Sequence, residues 1–80
     1  MDTQKAVANR IKQLCRQTGF APNGIAIHSA VPQGTLKSIL NGESKNPGII
    51  SIKKLCDAFS MTLGEFFSTE EFDNLEQEIQ

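Results

Sequence analysis

The sequence predicts an all-α fold: a compact five-helix bundle, followed by an acidic segment able to form a short sixth helix. Three observations predict it. Apolar residues recur at helical spacing over residues 3–18, where Val7, Ile11, Leu14, Cys15 and Thr18 fall on one stripe. The stretch IAIHSAVPQGTLKSILNG, residues 25–42, divides into two short amphipathic pieces around a tight corner. Thr62-Leu63-Gly64-Glu65 reads as a capping box that opens a further helix.

The first helix is expected from Thr3 to Thr18, started by Asp2 or Thr3 as cap and ended by Gly19. Lys5, Arg10, Lys12 and Arg16 occupy its remaining circumference, mostly as solvated charges, with one or two in reach of an anion. Phe20 follows the cap and is expected to fold back on the core. A second helix begins near Pro22-Asn23-Gly24, because proline suits a first turn, and Asn23 can cap a start one residue later. Ala26 is small where two helices should cross, and Ala30 opens the turn. Pro32 then sits where a helix start tolerates a missing N–H.

The third helix is expected over residues 33–40. Leu36, Ile39 and Leu40 point inward at i, i+3 and i+4. Gln33, Gly34, Lys37 and Ser38 are left on the other side, with Thr35 near the boundary. With residues 25–29 and 33–40 helical, Ile25, Ala26, Ala30, Val31, Leu36 and Ile39 converge inside the corner. Asn41-Gly42 ends this helix, since both residues accept a left-handed backbone. A fourth helix is expected over Ser51–Phe59, capped by Ser51 and buried through Ile52, Leu55, Cys56 and Phe59. The fifth, opened by the capping box, buries Leu63, Phe66 and Phe67.

In the tail, Ser68 and Glu71 have the spacing of a second capping box, and Phe72, Leu75 and Ile79 share a helical stripe. That stripe needs cover. It can fold back on the fifth helix, pair with a second subunit, dock on another protein, or fray.

Composition narrows the function classes. Eighty residues make one domain. A chain this small rarely draws more than about 3–5 kcal/mol from one core, so a partner can add to its stability. No run of eighteen apolar residues exists and the N-terminus is polar, so the expectation is a cytoplasmic protein with no membrane span. Cys15 and Cys56 lie on apolar stripes and read as core residues. Neither has a second Cys or His at ligand spacing, and His28 stands alone on the outer face of its helix. No metal, no cofactor and no catalytic residue is expected, since nucleophile–base pairs, carboxylate clefts and phosphate-cradling glycine loops are all missing from the pattern.

The net charge of −1 argues by itself against a polyanion as partner. Its distribution reverses that. All eight Lys and Arg lie in residues 1–54 against only Asp2 and Glu43, a net +6; residues 55–80 hold seven acids and no cation. One cationic face, with an acidic end kept apart from it, is the pattern of a nucleic-acid binder.

The corner at residues 25–42 is a helix-turn-helix, whose second helix usually enters a DNA major groove. It resembles the Cro/repressor-type domain, also called the XRE family. The resemblance rests on the small residues Ala26 and Ala30, the apolar Val31, Leu36 and Ile39, the Asn41-Gly42 end and the loop Ser44-Lys45-Asn46-Pro47. It runs from about Arg10 to Phe67. It implies a lambda-repressor-like bundle over residues 1–67, leaving residues 68–80 as an acidic amphipathic tail.

It also implies double-stranded DNA as partner and a homodimer as the binding form. Positions matching Gln33, Gly34 and Ser38 face base edges in the family, and Lys45 matches a phosphate contact. Asn23, Thr35, Lys37, Ser44 and Asn46 complete the candidate DNA-binding set. Gln33 can bind adenine through N6 and N7, worth about 1–3 kcal/mol of base discrimination. Two departures stand out. Ala21 and Pro22 replace the family's Ser or Thr and Gln, which anchor phosphates, and Gly34 brings no side chain to a base-facing position. The expected function is a sequence-specific transcriptional regulator, acting as a repressor. The alternative is an interaction module, antitoxin or adaptor, that grips a protein partner through the tail.

Overall fold

Helix α1 (Thr3–Thr18) is closed at both ends by its own neighbours. The Asp2 carboxylate accepts from the Lys5 amide at 2.8 Å, and Gly19, at φ 82°, donates back to the Cys15 carbonyl. The computed structural model describes residues 2–79. After α1 come α2 (Pro22–Ser29), α3 (Gln33–Leu40), α4 (Ile49–Ala58), α5 (Leu63–Phe67) and α6 (Glu70–Asp73), with no strand among the described residues. Val7, Ile11, Leu14 and Cys15 are buried as the stripe requires. Thr18 is not: it is exposed, and its hydroxyl turns back to donate to the Leu14 carbonyl at 2.7 Å.

The corner forms as expected, with one side chain reversed. Ile25, Ala26, Val31, Leu36 and Ile39 are buried within the single core, and Ala26 is 2% exposed where α2 meets its neighbours. Ala30 instead faces solvent. Its backbone is left-handed, φ 60° and ψ 26°, and that conformation swings the methyl out and hands the inward place to Val31. An L-residue held this way costs about 1–2 kcal/mol. Ser29 shares the load. It is buried, donates to the Ala26 carbonyl at 3.2 Å and accepts from the Val31 amide at 3.3 Å.

Three helix ends differ from expectation, each for a local reason. Asn23 does not cap α2, because Pro22 already occupies the first turn and Ala21 is the cap residue. At the end of α3 only Gly42 is left-handed (φ 83°). Asn41 stays at φ −97° and uses its side chain instead, bonding the Glu43 amide at 3.2 Å and carboxylate at 2.9 Å. Helix α4 begins at Ile49 behind Gly48, two residues before the expected Ser51. Ile49 and Ile50 are 55% and 67% exposed, so the apolar period that starts at Ile52 could not reveal the first turn.

The capping box of α5 is complete: Thr62 Oγ1 accepts from the Glu65 amide, and Glu65 Oε1 accepts from the Thr62 amide. The second box is absent. The Ser68 hydroxyl donates to the Glu65 carbonyl at 3.0 Å to close α5, and Glu71 is held by Asn9 Nδ2 at 3.2 Å, so Thr69 starts α6 uncapped. The tail folds back. Phe72 packs edge-on to Phe67 at 4.9 Å and meets Phe66 at 6.1 Å, and Glu78 reaches Thr3. A radius of gyration of 12.0 Å matches the roughly 12 Å of a packed chain this long. Ile79 alone of its stripe stays in solvent, at 86% exposed.

One core joins all of this, with Ile11, Ile25, Leu55, Cys56 and Phe66 fully enclosed. Burial pushes the Cys15 and Cys56 thiols up, and Asp57 pushes Cys56 further, so both stay neutral apolar fillers. Among the described residues no helix is long and apolar enough to cross a membrane.

Candidate nucleic-acid interface

Helix α3 is only eight residues long and packs through Leu36 and Ile39, so little of its circumference is used. Gln33, Gly34, Thr35 and Lys37 are exposed, and Ser38 is half-buried behind them. Gln33, Gly34 and Lys37 line one open groove of about 530 Å³ together with Pro22 and Asn23 of α2 and Asn41. No side chain caps the start of α2, so its first-turn amides and positive dipole end face outward beside Asn23. This is the place left by the family's missing anchors. Backbone N–H groups can hold a phosphate there without them.

Gly34 has no packing reason to be glycine. A Cβ built on it meets nothing within 4 Å. The bare backbone of the first turn of α3 is therefore available for close approach from outside the molecule.

The loop after α3 is set by its own bonds. The Ser44 amide donates to the Ser38 carbonyl at 3.0 Å, which folds the loop against the helix end and leaves Lys45 and Asn46 exposed. Gln4 of α1 fixes Lys45 from the other side. With its amide assigned so that both ends find partners, Nε2 donates to the Lys45 carbonyl at 3.2 Å and Oε1 accepts from Lys45 Nζ at 3.3 Å. A neutral partner positions the ammonium and leaves its charge intact.

Three further cations, Lys5, Lys12 and Arg16, flank this surface. Lys5 and Lys12 share a shallow groove with Leu40, Asn41 and Gly42 at the end of α3. Lys12 and Arg16 stand with Pro22 on the opposite flank of α2. The sequence shows these residues only as part of the charged circumference of α1; their i, i+7 spacing put Lys5 and Lys12 on one face, but only the packing of α1 on α3 aims that face at the groove.

Arg10 and Lys53 are engaged within the chain. Arg10 Nε donates to the Phe66 carbonyl at 2.8 Å and its NH2 nitrogen to the Glu65 carbonyl at 3.0 Å, with the guanidinium 5.9 Å from the Phe66 ring centroid. Lys53 pairs with Asp57 on α4. His28 is exposed and stacks on Phe20 at 5.3 Å. Among the described residues no group of three His, Cys, Asp or Glu is placed to hold a metal ion.

The surface thus presents a short helix with amide, hydroxyl and ammonium groups outward, flanked by lysines from α1 and from the loop. An α-helix fits the major groove of B-form DNA, about 12 Å wide, and side chains of these types meet base edges and phosphates there. The acidic tail packs against α1 and α5 and leaves Gln33 and Ser38 uncovered, with Glu78 at the edge of the groove lined by Lys45 and Asn46.

Comparison with known proteins agrees. Residues 5–71 match the Cro/C1-type HTH DNA-binding domain. The crystal structure of the prophage Lp1 protein 11 superposes with a TM-score of 0.83 at 25% identity, covering 94% of this chain and 100% of that one. No curated protein matches. With the match extending from α1 to α6, the chain belongs to the Cro/C1-type helix-turn-helix DNA-binding domain family.

Proposed function

We propose that this protein is a sequence-specific transcriptional regulator, a cytoplasmic repressor that binds its operator as a homodimer with α3 in the major groove. The observation that carries the proposal is the outward face of α3, uncovered and ringed by lysines from α1, from α3 itself and from the following loop. Gln33 and Ser38 read base edges, with Lys37 at a guanine or a phosphate, and Thr35 flanks them. Lys45, Ser44, Asn46 and Asn23 hold the backbone, and Gly34 lets the helix sit close. Residues 1–67 form the binding domain, and residues 68–80 are its acidic appendage. Two copies bind half-sites about 34–36 Å apart, one turn of DNA.

Selection of bound duplexes from a random pool, followed by gel-shift titration at several salt concentrations, tests the reading. Retardation is expected at roughly 50 mM salt, weakening steeply as salt rises. Its absence at that salt ends the proposal.

A second reading keeps the fold as a protein-interaction module. Ile27, Ile49 and Ile50 are large, apolar and exposed, which favours it. Engagement of Glu71 and Glu78 within the chain weighs against the tail as the gripping element. Replacing Gln33 and Lys45 with alanine separates the two: a regulator loses its operator, and an adaptor keeps its partner.

A further inference from the structure

The acidic segment ends on the rim of the surface just described. Glu78 Oε2 accepts from Thr3 Oγ1 at 2.7 Å. Asp2, Gln4, Lys45, Asn46 and Glu78 line one groove of about 430 Å³. Upstream, the Asn9–Glu71 bond and the Phe72–Phe67 contact anchor the segment on α1 and α5. The stretch from Glu70 to Ile79 carries five acids and no cation, and Glu78 is the one of them that shares this groove with Lys45.

Resting on the DNA-binding reading, we propose that the C-terminal segment is an autoinhibitory strap whose Glu78 end competes with a DNA phosphate for the Lys45–Asn46 loop. A phosphate drawn to Lys45 enters a groove that already carries the Glu78 carboxylate, with Asp2 also on its lining. Screening at physiological salt acts over a Debye length of about 8 Å, so anions that share one groove repel each other. Among the described residues, the strap's outer end is held by one exposed hydrogen bond. It therefore lifts away when DNA arrives, and the work of lifting it lowers affinity without abolishing binding. Phe72, inside the anchor, keeps the released end close enough to return.

The test compares the wild-type chain with Thr3→Val, Glu78→Gln and Glu70→Gln in titrations of a selected duplex at 50, 150 and 400 mM salt. Glu70 is exposed and does not line the groove, so it controls for net charge. Thr3→Val opens the latch while keeping every charge. The expected result is binding roughly 3- to 10-fold tighter at 50 mM for Thr3→Val and for Glu78→Gln. The gain should shrink to about twofold or less at 400 mM, because screening removes the competition, and Glu70→Gln should change little. Equal affinities throughout, or a gain for Glu70→Gln as large as for Glu78→Gln, overturns the strap while leaving the regulator reading in place. A wild-type chain and variants that all ignore DNA remove both.

Discussion

Arg10 and Lys37 carry the same charge on opposite sides of this molecule and do opposite work. On the α1–α5–α6 side, polar groups are consumed internally. Arg10 closes two carbonyls at the end of α5, Thr62 and Glu65 cap each other, and Asn9 and Thr3 hold acids of the tail. On the α2–α3 side they are left open: Gln33 and Lys37 stand exposed, and no side chain caps α2. Charge alone does not mark a binding surface. What marks it is charge and hydrogen-bonding capacity that the fold leaves unused.

Substitutions on the two sides should therefore fail in different ways. The largest effect is expected at Phe66, fully buried beneath Arg10 and against Phe67 and Phe72. Phe66→Ala should cost about 3–5 kcal/mol, comparable with the whole stability of so small a domain. Circular dichroism at 25 °C should then show a largely unfolded chain; a cooperative melt near the wild-type midpoint would deny Phe66 its central place.

Arg10→Ala comes next. It removes charged hydrogen bonds worth about 1.5–3 kcal/mol and should lower Tm by roughly 10–15 °C. Below that midpoint it should bind DNA with nearly wild-type affinity. Loss of DNA binding in a still folded variant would move Arg10 to the other side of the comparison.

Gln33→Ala reverses the pattern. Tm should hold within a degree or two, while preference for the selected base at its position falls by about 1–3 kcal/mol. The smallest effect is a gain. Ala30 sits at φ 60°, and Ala30→Gly should relieve the left-handed strain, net of glycine's entropy, for about 0.5–1 kcal/mol. Denaturant midpoints would rise with unchanged slope. A fall instead would mean that the Ala30 methyl makes a contact the exposed turn conceals.

Most of the fold was legible because its punctuation is local. The bounds of α1 and α3 and the Thr62–Glu65 box follow from residues within a turn of each boundary, and each appears as read. Where reading failed, the deciding partner was distant or the signal was silent. Ser68 and Glu71 have box spacing, but Asn9, far along the chain, takes Glu71. The first two residues of α4, Ile49 and Ile50, are mostly exposed, so no periodicity announced them. The role of Arg10 depends on carbonyls more than fifty residues away.

For the candidate interface, the outward set on α3 follows by subtraction once Leu36 and Ile39 are turned inward. The neighbourhood of Lys5 and Lys12 does not, since it exists only after α1 docks on the end of α3. Ser29 was equally hidden: a serine at a helix end gives no sign that it will be buried as a staple for the turn.

The most direct test of the division between open and consumed sides is a map of backbone amide shifts as a selected duplex is added to isotope-labelled protein. The account predicts that shifts concentrate at Asn23, over residues 33–38 and 44–46, and near Lys5 and Lys12, with residues 55–67 almost still. Shifts centred on residues 55–67, with α3 undisturbed, would contradict it.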